Sequence, residues 1–179
     1  MVTVRNVLPE DFEAIVHYWT ENSAEYWAER GVDKSKISSR SEFLSRFEKN
    51  YAQTGDLPYV CIICEDEKAI GLHSITHLIE NESAVMHAHI FNSSDRKKGI
   101  AYFSYPLAMN LFINKLNLKK IIFKTPKINL GANKVKLKLG IPCIGETIFE
   151  APMLFKPLEA NLYEVDRTLL NQLLEKIKA

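Results

Sequence analysis

Two groups of residues in this chain have types and spacings suited to chemistry. The first is Arg96-Lys97-Lys98-Gly99-Ile100-Ala101, three cations and a glycine placed where a strand-like run gives way to a long helical one. The first N–H groups of a helix lack backbone acceptors, and the aligned peptide dipoles add about half a positive charge there, so such a start favours anions. Gly99 lets a ligand come close to the main chain, and the small Ala101 does the same just inside the helix. A pyrophosphate fits this loop. Taken alone the pattern is short, and a chance loop would also satisfy it. It has neither the Gly-x-x-x-x-Gly-Lys-Ser/Thr spacing of a nucleotide-hydrolysing loop nor the three glycines of a dinucleotide fingerprint.

The second group is four of the five histidines: His73 and His77 on one strand-like run, His87 and His89 on the next. Residues two or four apart share a strand face, and a hairpin turning about Asn81 would place His73 opposite His89. That face would also carry Ile75, Val85 and Phe91, with Leu72, Leu78, Met86 and Ile90 on the other. An imidazole titrating near neutrality is a natural base for an ammonium group, directly or through water. Ordinary polar residues lining a cleft would give the same pattern. Neither histidine spacing is a zinc signature, and no metal is expected. Cys61-Ile62-Ile63-Cys64 is not a chelating or redox pair, because positions three apart in a strand face opposite ways; both read as buried cysteines.

One α/β domain spanning residues 1–179 must position these groups. With 179 residues, 46% apolar and 25% charged, the chain can bury a substantial core, and disordered or disulfide-rich classes are excluded. Three scattered cysteines suit a reducing compartment, and a cytoplasmic, soluble protein is expected. The stretch from Ala101 to Ile113 is far short of the roughly 20 residues needed to span a membrane. The first residues do not combine a basic region with a following apolar one, so no secretion signal is read.

The net charge of +1 hides a segregation of signs. From Arg96 to Gly145 there are eleven cations and no Asp or Glu, leaving the remainder at −10. Such asymmetry points to an anionic partner or to a solvated basic face.

The periodicities predict a strand over 2–7, a helix opened by Pro9, and a second helix from a capping box at Ser39 to Glu42. Three strands over 59–64, 70–78 and 83–91 follow, joined by charged turns as antiparallel hairpins. Next come a helix over 99–116, a strand over 120–124, a helix over 130–139 stopped by Gly140, and strands over 143–149 and 161–165. Asp166 caps a final leucine-rich helix over 166–179.

Within this layout Arg96-Lys97-Lys98-Gly99-Ile100-Ala101 resembles the Gln/Arg-x-x-Gly-x-Gly/Ala hallmark of the GNAT superfamily of N-acyltransferases, which follows the fourth strand and cradles the pyrophosphate of acetyl-CoA. Asn129-Leu130-Gly131-Ala132-Asn133, with Gly140 closing the helix, is similar to the motif of the branch that includes ribosomal-protein N-terminal acetyltransferases. The resemblance covers nearly the whole chain. It implies a mixed, mostly antiparallel sheet of about seven strands flanked by helices, here with an extra C-terminal helix. It also implies acetyl-CoA as co-substrate, Asn129 and Asn133 beside the coenzyme, and a main-chain contact to the pantetheine arm from Phe91, at the end of a splayed fourth strand.

His-x-His on that strand is similar to the arylalkylamine N-acetyltransferases, although only His87 coincides with a member of their pair. His87 is therefore the first candidate base and His89 the second. The resemblance fails at the acid. Many members carry a Tyr four residues before the closing Gly, and here Lys136 stands there; Ile141 replaces the aromatic residue that usually follows the Gly. No acid is assigned.

The implied activity is acetyl transfer from acetyl-CoA to a primary amine by direct attack in a ternary complex. Acceptor choice in the superfamily lies in the first two helices and their loop. Here these hold Tyr18, Trp19, Tyr26 and Trp27 together with Glu21 and Glu25, a mixture suited to a cationic amine or simply to a core. A non-catalytic coenzyme-binding module is the alternative. A nucleic-acid domain built on the lysines would show steeply salt-dependent binding, and no nucleic-acid or membrane partner is expected. The chain is expected to be a monomer or homodimer.

Overall fold

A computed structural model of the chain describes residues 1–96 and 99–178. Lys97 and Lys98, two of the expected anion-binding cations, lie outside the described residues. In chain order the elements are β1 (Val2–Asn6), a 3-10 turn at Pro9–Asp11, α1 (Phe12–Glu21), α2 (Ala24–Ala28), a 3-10 turn at Lys34–Lys36, α3 (Arg40–Thr54), β2 (Val60–Glu65), β3 (Lys68–Ile79) and β4 (Ser83–Ile90). A third 3-10 turn at Ser93–Asp95 leads to α4 (Ile100–Lys115), β5 (Lys120–Pro126), α5 (Leu130–Leu139), β6 (Cys143–Phe149), β7 (Leu158–Asp166) and α6 (Arg167–Lys178). The strands form one sheet in the order β1-β2-β3-β4-β5-β7-β6. Every neighbouring pair is antiparallel except β4 and β5.

Local chemistry accounts for the element ends. Asp11 is buried and its carboxylate accepts two bonds from the Arg5 guanidinium, at 2.6 and 2.8 Å, and one from Leu8 N–H. This pins the start of α1 to β1. Ser39 and Glu42 exchange their bonds as a capping box for α3, and Gly55 closes that helix at φ +68°. Asn129 Oδ1 caps α5, whose last turn ends on Gly140 at φ +87°.

The sheet separates two cores. On one face α4, α5 and α6 cover Cys61, Ile75, Met86, Ile121, Phe123 and Val165. On the other, α1 and α3 cover Ile62, Cys64 and Leu72. Cys61 and Cys64 are thus buried on opposite faces. The final helix is spent inside the molecule: Leu170 and Leu173 are buried, Arg167 donates to the Ile113 carbonyl in the last turn of α4 and to the Leu118 carbonyl just past it, and Lys176 donates to the Lys138 and Leu139 carbonyls at the end of α5. Both cations sit at the negative ends of helix dipoles.

The predicted histidine face does not form. Near the turn Ile79 faces Ser83, as a hairpin about Asn81 requires, but a bulge between Thr76 and Ile79 shifts the ladder by one residue. His77, with φ +49°, sits in that bulge. Beyond it His73 pairs with Ala88, Ser74 with His87 and Leu72 with His89. A slip of one residue exchanges faces. His73 and Ile75 therefore face α4, whereas His87 and His89 join Leu72 on the α1 side.

Close approach of β3 to β4 depends on Gly71, where a Cβ would lie 2.4 Å from the His89 carbonyl oxygen. Gly71→Ala is expected to lower stability by about 1–3 kcal/mol. Equilibrium urea unfolding measures this, and unchanged stability would contradict the packing.

The segregation of charge along the chain is partly undone in space. Lys115 pairs with Asp56, Lys119 with Glu82, Lys120 with Glu164, and Lys127 with both Glu146 and Glu159. No helix among the described residues is long and apolar enough to cross a membrane.

Candidate active site

β4 and β5 pair only over Ser83–Val85 and Lys120–Ile122. Past that point β5 stays bonded to β7 while β4 runs on to Ile90 beside β3, so the ladder between β4 and β5 ends in a split. Main-chain groups of a strand point alternately to its two neighbours. Phe91 N–H is donated to Ile70 O at 2.9 Å, so Phe91 turns toward β3. The groups facing the split belong to Met86, Ala88 and Ile90, and the Ile90 carbonyl accepts from Arg96 Nη2 at 3.3 Å.

At the outer end of this edge Gly99 is the N-cap of α4 with φ +80°, and a Cβ built on it meets nothing within 4 Å. The left-handed conformation, rather than crowding, requires the glycine. Ile100 is buried against Ile63 and Ile70 and anchors the loop, while Ala101 is half-buried. Arg96 also donates to Tyr26 Oη.

The two asparagines differ. Asn129 is exposed and its Oδ1 accepts from Ala132 N–H. Asn133 donates to the Pro126 and Asn129 carbonyls and accepts from Asn161 Nδ2 at 3.0 Å and Tyr163 Oη at 2.7 Å. Its amide thus fills its donor capacity within the protein and ties α5 to β5 and β7.

Of the four histidines, the structure brings His87 and His89 together on one face, both half-buried. His87 Nε2 lies 2.8 Å from Thr76 Oγ1, and His89 Nδ1 lies 3.1 Å from Tyr18 Oη. Burial pushes His87 down to about 4 and His89 down to about 3, with neighbouring positive groups adding to both shifts. Both rings are neutral at physiological pH.

His73 is fully buried, and burial pushes it down to about 3. Its Nδ1 lies 3.3 Å from the His87 carbonyl, which can only accept, so Nδ1 carries the proton and Nε2 accepts from Ser104 Oγ at 3.0 Å. Ser104, a polar residue inside the apolar run of α4, was the one sequence signal of this link. Among the described residues no three His, Cys, Asp or Glu side chains converge as metal ligands.

Lys136 is 2% exposed, buried under aromatic rings. Its Nζ lies 3.3 Å from Tyr105 Oη, 4.6 and 4.7 Å from the ring centres of Tyr105 and Phe123, and 5.9 Å from that of Tyr163. Burial pushes this amine down to about 7.

The aromatic cluster expected near the acceptor is largely self-engaged. Trp19 and Trp27 stack at 5.0 Å, nearly parallel, and Arg30 covers the Tyr26 ring at 3.7 Å.

This geometry joins a splayed parallel strand pair to a glycine-started helix, and the chain belongs to the acetyltransferase (GNAT) domain family, which matches residues 2–141. No curated protein matches it. Among solved structures it is similar to the spermidine N-acetyltransferase of Vibrio cholerae in complex with CoA and spermine, with 16% identity over 95% of this chain and 98% of that one and a TM-score of 0.73. The ribosomal L7/L12 alpha-N-protein acetyltransferase RimL in complex with coenzyme A has 16% identity over 92% and 93%, with a TM-score of 0.71. RimJ of Mycobacterium smegmatis in complex with CoA-disulfide has 17% identity over 98% and 88%, with a TM-score of 0.69.

Proposed function

We propose that this protein is an acetyl-CoA-dependent N-acetyltransferase acting on a primary amine by direct attack in a ternary complex. The observation that supports it most is the edge of β4 past Val85, where the ladder with β5 has ended, running toward the left-handed Gly99 at the start of α4. An extended arm bearing amide groups can add to that edge as a strand does, and a pyrophosphate can meet the α4 N–H groups. Arg96, Lys97 and Lys98 supply positive charge there, with Gly99, Ile100 and Ala101 forming the backbone seat. Asn129 borders the arm from the start of α5, and Asn133 acts by holding α5 against β5. The thioester supplies the acyl group.

His87 receives the proton of the attacking amine, directly or through water, and His89 is the second candidate. Their neutral state fits a base, although their low basicity favours transfer through water. Structural relatives bound to spermine or acting on a protein N-terminus support an amine acceptor without choosing one.

Isothermal calorimetry with acetyl-CoA, followed by a thiol-release assay over a panel of amines, tests the reading. Binding with turnover on at least one amine is expected; tight binding with no turnover on any acceptor would favour a non-catalytic module. His87→Ala is expected to keep coenzyme affinity and lose about 100-fold or more in turnover. Wild-type rates across pH would remove His87 from the mechanism.

A further inference from the structure

The bulge in β3 joins His77 to His87. Neighbouring side chains of a regular strand face opposite ways, so an unbroken β3 would point His77 toward α4 with His73 and Ile75, and Thr76 toward the α1 side. In the bulge His77 takes φ +49°, a left-handed conformation uncommon for a residue with a β-carbon, and its ring reaches the hydroxyl of its own neighbour, with Nδ1 3.0 Å from Thr76 Oγ1. The same oxygen lies 2.8 Å from His87 Nε2. Thr76 Oγ1 is therefore shared between two imidazoles, one half-buried with the Phe149 ring 5.9 Å away and the other exposed. Thr76 is exposed as well, and water could serve its hydroxyl equally well, so these two bonds add little to the fold. A hydroxyl donates one proton and can accept another bond at the same time. Between two neutral rings it accepts from the one whose facing nitrogen carries a proton and donates to the other. Reversing both bonds moves a proton from one ring to the other.

We infer that Thr76 and His77 form a relay that takes the proton of the acceptor amine from His87 to the surface. This rests on the acetyltransferase reading above, in which His87 is the base. Both act through His87 and are positioning residues. With Nε2 turned to Thr76, His87 receives the amine proton on Nδ1, directly or through water. At rest that Nδ1 is unprotonated, His87 Nε2–H donates to Thr76 Oγ1, and the Thr76 hydroxyl donates to His77 Nδ1. As His87 Nδ1 gains its proton, the Nε2 proton passes to Thr76 Oγ1 and the Thr76 proton passes to His77 Nδ1. His87 and Thr76 end neutral, and the positive charge rests on exposed His77, where water solvates it. The half-buried ring is spared a charge that its surroundings disfavour. Once product has left, exchange with solvent at His77 Nε2 and His87 Nδ1 restores the starting tautomers. The titratable groups facing His87 are His77 from the bulge, His89 from β4 itself and Lys136 from α5, and none of these is an acid that would hold the charge on His87.

Nitrogen-15 spectra of the histidine rings test the relay in the free chain, with neither coenzyme nor acceptor. Ring nitrogens that carry a proton resonate apart from those that do not, and His77→Ala and His87→Ala assign the signals. At high pH His87 should carry its proton on Nε2. Acid that charges His77 forces its Nδ1 to donate and turns the Thr76 hydroxyl toward His87, so His87, while still neutral, should move its proton to Nδ1. Thr76→Val should uncouple the two rings, and Thr76→Ser should keep them coupled. In turnover, Thr76→Val and His77→Ala are each expected to keep coenzyme affinity and to lower kcat about 10-fold, part of the loss assigned to His87. The double variant should fall no further, as for residues acting in series. Thr76→Ser should recover most of the loss, and imidazole added to the buffer should restore His77→Ala. A His87 tautomer that ignores the charge on His77, wild-type kcat in both single variants, or additive losses in the double variant overturns the relay and leaves His87 as the base. A wild-type chain with no turnover on any amine overturns the parent reading and the relay together.

Discussion

Gly99→Asp is expected to lower coenzyme affinity by about 100-fold or more, while Gly99→Asn loses far less. Both side chains tolerate the left-handed conformation that Gly99 holds at φ +80° better than other residues do, and a Cβ there meets nothing within 4 Å. The fold should therefore accept either. The pair differs in charge. A carboxylate about 4 Å from a phosphate oxygen at an effective dielectric of 20 costs about 4 kcal/mol, more than the 2.7 kcal/mol that corresponds to a hundredfold. Calorimetric titration with coenzyme A measures the difference, and matching thermal melts show that both variants are folded. If Asp and Asn weakened binding equally, bulk rather than anion repulsion would be responsible. If neither weakened it, the pyrophosphate would sit elsewhere.

The sequence was readable wherever a local pattern had one physical solution. The capping box at Ser39, the asparagine cap and glycine stop of α5, and the aspartate cap of α6 all lie where their side-chain chemistry put them. α2 escaped notice because its five residues are too few to show a period, although Ser23 caps it. The histidine face was misread for a specific reason. Counting from the Asn81 turn gives the correct pairing only as far as the bulge at His77, and nothing in the residue types there announces a one-residue shift. That shift sends His73 into the α4 core and leaves His87 and His89 as neighbours on the α1 side.

The same alternation decides which main-chain groups face the split: the ladder between β3 and β4 engages the Phe91 N–H with Ile70 and turns Met86, Ala88 and Ile90 the other way. The run of lysines suggested a continuous basic surface, yet several find their acids on distant segments, and sequence distance carries no information about such pairs. Lys136 stood out only as a missing tyrosine. Its burial among Tyr105, Phe123 and Tyr163 comes from three separate elements.

That burial has a thermodynamic signature independent of any ligand. The native state holds the Lys136 amine at about 7 against an ordinary value of 10.5, so between these limits the unfolded chain binds a proton that the native chain does not. Stability contributed by this site therefore rises with pH from about 7 to about 10.5, with a slope of at most about 1.4 kcal/mol per pH unit. Below pH 7 the fold bears the full cost of an ammonium under aromatic rings. Lys136→Met keeps the length of the side chain and its contact with those rings while removing the charge. It is expected to be more stable than wild type by about 1–4 kcal/mol at pH 6–7, the range found when buried ionic groups give way to packed apolar ones. The gap should close as the pH approaches 10. Urea unfolding of both proteins at pH 6, 8 and 10 measures it. A variant less stable than wild type at pH 6 would mean that the aromatic rings more than compensate the lost hydration, and the amine would then have no reason to titrate near neutrality.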